Sequence, residues 1–269
     1  MKEKLQKIKE NEDVNVPMIK SIKCDRSKEE ISVGAGSFGS ISKVSADERP
    51  IAIKKAEIGQ ESISEALIMS KINHPHVVSA LGVSIQHKDL LISMECFDED
   101  LAIHLEKTEK NKDIRKEWRV KVFTDCARGL KYLHKMKIIH RDLKPQNILI
   151  KHRGESLSAS LADFGIANLG LEGSGWCGSP GFVAPEMYTE GTVPSYNELV
   201  DEWSLGACMY ELIVSDCLVK TEDYEEQANP QPRWDEVKVY IPTFLTATKG
   251  LLVVDPKERK SAKDVLKIL

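Results

Sequence analysis

The pattern of apolar and polar positions divides the chain into an early strand-rich part and a later helix-rich part. Short apolar runs with alternating side chains, such as Ile51–Lys54 and Leu90–Met94, predict strands before residue 100. From Leu101 onward, apolar residues recur every three or four positions, most clearly over Glu117–Met136, which predicts helices. One helix is predicted inside the early part, over Ser62–Ile72.

The predicted helix Ser62–Ile72 leaves the role of its glutamates open. Ser62 and Glu65 have the spacing of a capping box, in which the glutamate would bind a backbone N–H and take no part in chemistry. The sequence Asn73-His74-Pro75 is a stop signal for this helix. The face predicted by the apolar spacing carries Ile63, Ala66, Leu67 and Ser70.

In a second pattern, over residues 138–165, short apolar runs that predict strands alternate with charged and amide side chains. Ile148–Ile150 and Ser160–Ala162 predict two buried strands joined by the polar turn Lys151–Ser158. Such a hairpin would place Asn147 and Asp163 side by side. A carboxamide oxygen and a carboxylate suit Mg²⁺, which prefers few protein ligands together with phosphate oxygens.

The segment Ile31–Val44 predicts a strand, a glycine-rich turn and a second strand. Gly34, Gly36 and Gly39 would let the backbone approach phosphate oxygens and offer its N–H groups. This spacing alone is weak evidence, and a purely structural hairpin is at least as good an interpretation. A dinucleotide fold would need a helix next, whereas Ile41 continues the strand pattern.

Composition and charge narrow the class of protein. The chain has 269 residues, of which 41% are hydrophobic and 30% charged, as in an ordinary globular domain. A net charge of -4 gives no electrostatic reason to expect nucleic acid or an anionic membrane as partner. No apolar run reaches the roughly 18 residues of a membrane span. Six scattered cysteines and no secretory signal favour an intracellular, cytoplasmic protein with reduced thiols.

An ordered set of motifs resembles the eukaryotic-type protein kinases. The glycine turn and the sequence Ala52-Ile53-Lys54 precede His-Arg-Asp-Leu-Lys-Pro-Gln-Asn at 140–147 and Asp-Phe-Gly at 163–165. Ala-Pro-Glu at 184–186, Asp-Glu-Trp-Ser-Leu-Gly at 201–206 and a final arginine follow in the family's order. The resemblance covers about residues 31–266, and single motifs could arise by chance whereas the ordered set is much more specific.

This resemblance implies an α+β, two-lobed protein kinase fold. A small amino-terminal lobe with an antiparallel sheet and one main helix is expected over residues 26–97, and a larger, mostly helical lobe over residues 98–269. Residues 1–25 are charged and predict a flexible extension.

The resemblance also implies a set of catalytic residues. Asp142 would accept or orient the proton of the substrate hydroxyl, and Lys144 would neutralise the γ-phosphate. Lys54 in isolation is better interpreted as an exposed edge-strand lysine, but the resemblance reverses this preference. It implies that Lys54 contacts the α- and β-phosphates of ATP and pairs with Glu65. Glu61 is the fallback for this pairing.

The cofactors implied are ATP and Mg²⁺, with Asn147 and Asp163 as metal ligands. Glu95, Cys96 and Phe97 would form the hinge that meets adenine. The full set of expected ATP contacts is Val33, Gly34, Ala35, Gly36, Ser37, Phe38, Gly39, Ile41, Ala52, Lys54, Glu95, Cys96, Phe97, Leu149 and Asp163.

Further positions are assigned structural roles by the same resemblance. His140 and Phe164 would hold the catalytic loop rather than transfer protons, and Asp201 would bind the backbone of that loop. Glu186 would form a buried ion pair with Arg259.

The implied substrate is a serine or threonine of another protein. Lys144 and Gln146, with Ser179-Pro180 later, resemble the serine/threonine class, and the run Cys126–His134 is similar to its tyrosine-kinase-like branch. Residues 166–183 resemble an activation loop, in which an upstream kinase or autophosphorylation would modify Ser174 or Ser179 and give Arg141 a charged partner. Alternatively, Ser179 contacts the catalytic loop unmodified. A pseudokinase scaffold and a small-molecule phosphotransferase are the alternative functions.

Overall fold

In the computed structural model, the described residues are 31–36, 39–46, 49–110, 117–170, 172–188, 193–219, 224–238 and 241–269. The predicted extension 1–25 lies outside them. The chain divides into two compact units. The first contains the described residues up to Asn73 together with Val78–Cys96, and the second contains His74–Val77 and Phe97–Leu269.

A five-stranded antiparallel sheet forms most of the first unit. The strand order is β1-β2-β3-β5-β4, and the strands are β1 (Ile31–Gly36), β2 (Gly39–Ala46), β3 (Arg49–Glu57), β4 (Ala80–Gln86) and β5 (Asp89–Glu95). Gly39 has φ 130°, and a Cβ there would lie 2.2 Å from the Lys55 carbonyl oxygen. Only glycine fits this start of β2.

The helix of the first unit, α1 (Gln60–Met69), begins earlier than the sequence predicted. Ser62 lies inside its first turn, where its hydroxyl accepts a hydrogen bond of 2.9 Å from Gly59 N–H. The capping-box interpretation of Ser62 and Glu65 is therefore wrong. The predicted apolar face is also wrong in part, because the buried positions include Ser62, Glu65, Ala66 and Met69, whereas Ile63 and Leu67 are only partly buried.

Helices dominate the second unit. They are α2 (Leu101–Lys110), α3 (Glu117–Lys135), α4 (Leu199–Val214), α5 (Tyr224–Ala228), α6 (Pro242–Leu251) and α7 (Ala262–Val265). The apolar stripe predicted on α3 is confirmed, since its residues Trp118, Val122, Cys126, Leu130 and Leu133 are all buried. Phe123 of α3 meets Phe244 of α6 edge to face, with ring centroids 4.7 Å apart.

Short strands complete the second unit. They are β6 (Glu99–Asp100), β7 (Ile138–Ile139), β8 (Ile148–Arg153), β9 (Ser156–Leu161), β10 (Asn168–Leu169), β11 (Glu172–Ser174) and β12 (Ser195–Asn197). They form one sheet in the order β6-β8-β9 and the two pairs β7-β10 and β11-β12.

The predicted hairpin of β8 and β9 is confirmed, but its turn is much shorter than the predicted Lys151–Ser158. Lys151 pairs with Ser158 and Arg153 with Ser156, so the ladder continues through polar residues to the hairpin tip. Exposed strands tolerate polar side chains on both faces, which the search for apolar runs could not detect. Among the described residues, no helix has the length and apolar character needed to cross a membrane.

Candidate active site

The backbone of the loop that follows β7 is held by one buried carboxylate, that of Asp201. Asp201, in the first turn of α4, accepts hydrogen bonds of 2.8 Å from the backbone N–H groups of His140 and Arg141. These are the backbone contacts predicted for Asp201. Arg141 has φ 70°, so the loop holds a left-handed conformation at this point.

His134 of α3 adds a third partner to Asp201 that the sequence did not indicate. Its Nε2 lies 3.0 Å from Asp201 Oδ2, and its Nδ1 lies 3.4 Å from Glu202 Oε1. Burial alone would lower the pKa of His134, but hydrogen bonds to these two acids raise it to about 10. His134 is therefore a buried imidazolium beside two carboxylates. It holds Asp201, which in turn binds the backbone of the loop.

The side chain of Asp142 is held by three neighbours. Ser179 Oγ donates to Asp142 Oδ1 at 2.7 Å, and Lys144 Nζ lies 2.9 Å from Oδ2. Asn147 Nδ2 donates to the Asp142 carbonyl at 2.8 Å and to Oδ2 at 3.0 Å. Asp142 is 9% exposed, so this carboxylate is oriented and largely buried.

Asn147 and Asp163 are brought together by the hairpin. The Asn147 carbonyl accepts a hydrogen bond of 2.9 Å from the N–H of Ala162, the residue before Asp163. Asp163 has φ 63°, and its Oδ1 accepts from Gly165 N–H at 3.3 Å. A carboxamide and a carboxylate at adjoining positions form an oxygen donor set that fits Mg²⁺.

His140 is buried and both of its ring nitrogens have partners. Nε2 lies 2.9 Å from the Ala162 carbonyl, and Nδ1 lies 3.3 Å from the Asp142 N–H. The ring packs against Phe164 with centroids 5.1 Å apart. These contacts agree with the structural role expected of His140 and Phe164, because the imidazole holds the loop and has no nitrogen left for proton transfer.

In the first unit, Lys54 and Glu65 form a buried ion pair. Lys54 Nζ lies 2.7 Å from Glu65 Oε1, and the two residues are 6% and 1% exposed. Glu61, the fallback, is exposed. This contact explains the burial of Glu65, because α1 turns its carboxylate toward Lys54 of β3.

The remaining expected ATP contacts that the structure describes are divided between the two units. Gly39, Ile41, Ala52, Glu95 and Cys96 lie in the first unit, and Phe97 and Leu149 lie in the second. Val33, Gly34, Ala35 and Gly36 belong to β1. Ser37 and Phe38 lie outside the described residues.

The ion pair expected between Glu186 and Arg259 is present and bidentate. Arg259 Nη1 and Nη2 donate to Glu186 Oε1 and Oε2 at 2.7 and 2.8 Å. The same guanidinium donates to the carbonyls of Leu199 and Val253. The Arg259 side chain is 0% exposed. Through these hydrogen bonds its forked guanidinium joins three segments of the second unit.

Comparison with known proteins identifies the family. The sequence matches the protein kinase domain over residues 27–268. The chain belongs to the protein kinase family. It is also 34% identical, over 231 residues, to a probable myosin light chain kinase of Dictyostelium discoideum. That similarity covers 80% of this chain and 62% of the relative, so the chain spans less than two thirds of the relative's length.

The family assignment confirms the predicted resemblance and the α+β, two-lobed protein kinase fold. The antiparallel sheet with one helix is the smaller unit of this kinase, and the helical unit carries Asp142, Lys144, Asn147 and Asp163.

In this kinase, the segment after Gly165 contacts the catalytic loop at two places. Ser179 lies between Asp142 and Lys144, whose Nζ donates to its hydroxyl at 2.7 Å. Arg141 donates to the Ile166 carbonyl at 2.6 Å and, through Nη1, to the Tyr196 hydroxyl at 3.1 Å. Of the two alternatives for Ser179, the observed geometry is direct contact with the catalytic loop.

Tyr196 is a site residue that the sequence analysis missed. It lies on β12, 55 residues from Arg141, and no local pattern connects the two. Burial and the neighbouring Cys177 raise the pKa of Tyr196 to about 12, so its hydroxyl stays protonated. Next to this contact, Arg141, Glu172, Ser174 and Ser195 line a cavity of about 320 Å³.

Proposed function

We propose that this member of the protein kinase family is an active serine/threonine kinase that transfers the γ-phosphate of ATP to protein hydroxyls. The observation that carries the proposal is the held carboxylate of Asp142, which accepts from Ser179 Oγ and lies 2.9 Å from Lys144 Nζ. Phosphoryl transfer needs positioning and charge neutralisation more than covalent chemistry, and this arrangement supplies both.

Asp142 orients the attacking hydroxyl and takes its proton. Two of its oxygens are fixed by Ser179, Lys144 and Asn147, so the carboxylate cannot turn away from the incoming group. A positioned base of this kind contributes roughly 10²- to 10⁴-fold to a rate. Lys144 stands next to it and is 25% exposed, which lets its ammonium neutralise the phosphate being transferred.

Lys54 holds the α- and β-phosphates, and Glu65 fixes the direction of its ammonium. Asn147 and Asp163 would hold Mg²⁺, which neutralises phosphate charge when it is bound. We assign the nucleotide-binding lobe to residues 26–97 and the catalytic lobe to residues 98–269.

Two further observations support a protein as substrate and activity as the function. The Dictyostelium relative is named as a kinase of a protein, the myosin light chain. Lys54, Asp142 and Asp163, one or more of which a pseudokinase usually lacks, are all present. We therefore place the binding-scaffold alternative second.

Ser174 is the residue of the activation segment that we propose for regulatory phosphorylation. It is exposed and lines the same cavity as Arg141, whereas the Ser179 hydroxyl already binds Asp142 and Lys144. A phosphate in that cavity would gain a charge-assisted contact with the guanidinium.

The test is transfer of labelled γ-phosphate from Mg·ATP to a generic basic protein and to the kinase itself, followed by phosphoamino-acid analysis. Wild type should yield phosphoserine and phosphothreonine, and Asp142→Asn should abolish both. Asp235→Asn, which changes an exposed aspartate of the same unit, should transfer phosphate like wild type. Phosphotyrosine alone would refute the substrate class. Mg·ATP binding without transfer, even after treatment with candidate activating kinases, would favour the scaffold.

A further inference from the structure

Three side chains of metal-ligand type converge in the second unit, outside the candidate active site. They are Glu99 on β6, His104 on α2 and His152 on β8, and one ligand atom of each lies within 4.8 Å of the others. Glu99 Oε1 lies 2.8 Å from His104 Nδ1 and 2.8 Å from His152 Nε2. The sequence analysis did not single out this cluster.

Local structure fixes the three residues relative to one another. Glu99 pairs with Ile150 across the sheet, and His152 lies two residues further along β8. Asp98 Oδ2 accepts a hydrogen bond of 2.7 Å from the His152 N–H, which ties the end of β8 to the start of β6. Asp100 caps α2 by accepting from Ile103 N–H at 2.9 Å, and this sets the direction in which His104 leaves the helix.

Each contact within the cluster needs a proton or a metal ion between the imidazole nitrogen and Glu99 Oε1. A carboxylate oxygen only accepts hydrogen bonds, so each imidazole nitrogen facing Glu99 Oε1 must carry a proton or bind a metal. Two imidazoles and one carboxylate are a common set of zinc ligands. Around a tetrahedral ion with bonds of about 2.0–2.2 Å, ligand atoms are separated by about 3.4 Å. The 2.8 Å contacts would therefore need to open by roughly half an ångström.

Two side chains next to the cluster have buried nitrogen atoms without hydrogen-bond partners among the described residues. His104 is 8% exposed, and its Nε2 has no hydrogen-bond partner among the described residues. The same holds for Nε1 of Trp118, whose ring meets that of His104 edge to face. Both residues and His152 line a cavity of about 500 Å³. Such unsatisfied groups are costly unless a ligand or water joins them.

We propose that Glu99, His104 and His152 bind a zinc ion whose fourth coordination position faces this cavity. Binding through His104 Nδ1 would place the ring proton on Nε2, the buried nitrogen of a residue that lines this cavity. Lys107 Nζ contacts Oε2 of Glu99 and leaves Oε1 to the metal. Because the Lys107 side chain is 62% exposed, its ammonium can move away from the ion.

The experiment is a calorimetric titration of the full chain, freed of metal by a chelator, with zinc chloride. Excess Mg²⁺ in the buffer occupies the oxygen site at Asn147 and Asp163. We expect one equivalent of zinc to bind and to raise the melting temperature. Co²⁺ added to the metal-free protein in place of zinc should give the visible absorption of a tetrahedral site.

The variants His152→Ala and Glu99→Gln should weaken zinc binding at least tenfold, the lower end of what loss of even a supporting group costs. His87→Asn is the matched control, because it removes an exposed imidazole from a turn where φ is 57°, a conformation that asparagine tolerates. Equal zinc affinity in wild type and both site variants would overturn the proposal, as would the absence of zinc binding by wild type. Circular dichroism checks that each variant is folded.

Discussion

Ser179 Oγ donates a hydrogen bond of 2.7 Å to Asp142 Oδ1 although the two residues are 37 positions apart in the sequence. The same hydroxyl accepts a hydrogen bond of 2.7 Å from Lys144 Nζ. One serine of the activation segment therefore links the proposed base to the proposed phosphate-binding lysine. A phosphate at this position would place negative charge directly against Asp142.

Replacing Ser179 by alanine should slow phosphate transfer by about tenfold, because one hydrogen bond that orients Asp142 is worth about 1.4 kcal/mol. The measurement is kcat and KM for ATP with a generic basic protein as substrate. We expect the loss in kcat, since Ser179 contacts the base and not the nucleotide-binding lysine Lys54.

Two matched variants test the chemistry of this position. Ser179→Thr keeps the hydroxyl and should retain most of the activity, whereas Ser179→Asp should lose activity through repulsion of Asp142. Activation by Ser179→Asp would contradict the inferred role and favour regulatory phosphorylation at this residue.

The sequence predicted those parts of the site that depend on neighbouring residues in the chain. Asn147 and Asp163 were expected side by side because a hairpin joins them, and the Ala162 N–H bond to Asn147 shows this arrangement. The apolar stripe on α3 was likewise predictable from its spacing. The order of the motifs indicated the family, and with it the two-lobed fold.

Contacts between distant segments could not be predicted in the same way. The hydrogen bond from Arg141 to Tyr196 joins residues 55 positions apart, and the contact between Glu99 and His152 joins residues 53 positions apart. The predicted face of α1 was wrong in part because Glu65 is buried in its ion pair with Lys54, a contact between two elements that the spacing of apolar residues cannot indicate.

Removing the charge of Glu65 should both slow the kinase and destabilise it. In Glu65→Gln, the amide oxygen can still accept from Lys54, but the buried ammonium loses its opposite charge, at a cost of about 1.5–3 kcal/mol. We expect a lower free energy of unfolding in urea and a lower kcat/KM for ATP. Glu61→Gln is the control, because it makes the same chemical change at an exposed position of the same helix and should leave both quantities unchanged. A similar effect of the two variants would rule out a specific role for Glu65.

Arg259→Lys should destabilise the second unit even though the positive charge is kept. A lysine ammonium cannot reproduce the fork that binds both oxygens of Glu186 together with the Leu199 and Val253 carbonyls. We expect a loss of roughly 2–3 kcal/mol in the free energy of unfolding. Arg128→Lys, at an exposed position of α3, should change it by less than about 0.5 kcal/mol. Equal stability of wild type and Arg259→Lys would show that the fork is replaceable.

Glu211, near the end of α4, should make the protein less stable as pH rises. Burial, and then the charges of Glu109 and Asp216, raise the pKa of Glu211 to about 7, and its Oε2 has no hydrogen-bond partner among the described residues. Between about pH 4.5 and pH 7, the unfolded chain releases this proton while the folded protein keeps it. Stability is therefore lost over that range, and the full penalty is present above pH 7.

The variant Glu211→Gln removes this penalty, because the neutral amide occupies the same space without ionising. Since each pKa unit corresponds to about 1.4 kcal/mol, we expect the variant to be more stable than wild type by roughly 2–3 kcal/mol at pH 8. The difference should nearly vanish at pH 4.5, where the folded protein holds Glu211 neutral. Urea unfolding followed by circular dichroism at both pH values measures it, with Glu225→Gln as the exposed control. A difference that does not depend on pH would mean that packing, and not ionisation, distinguishes the variant.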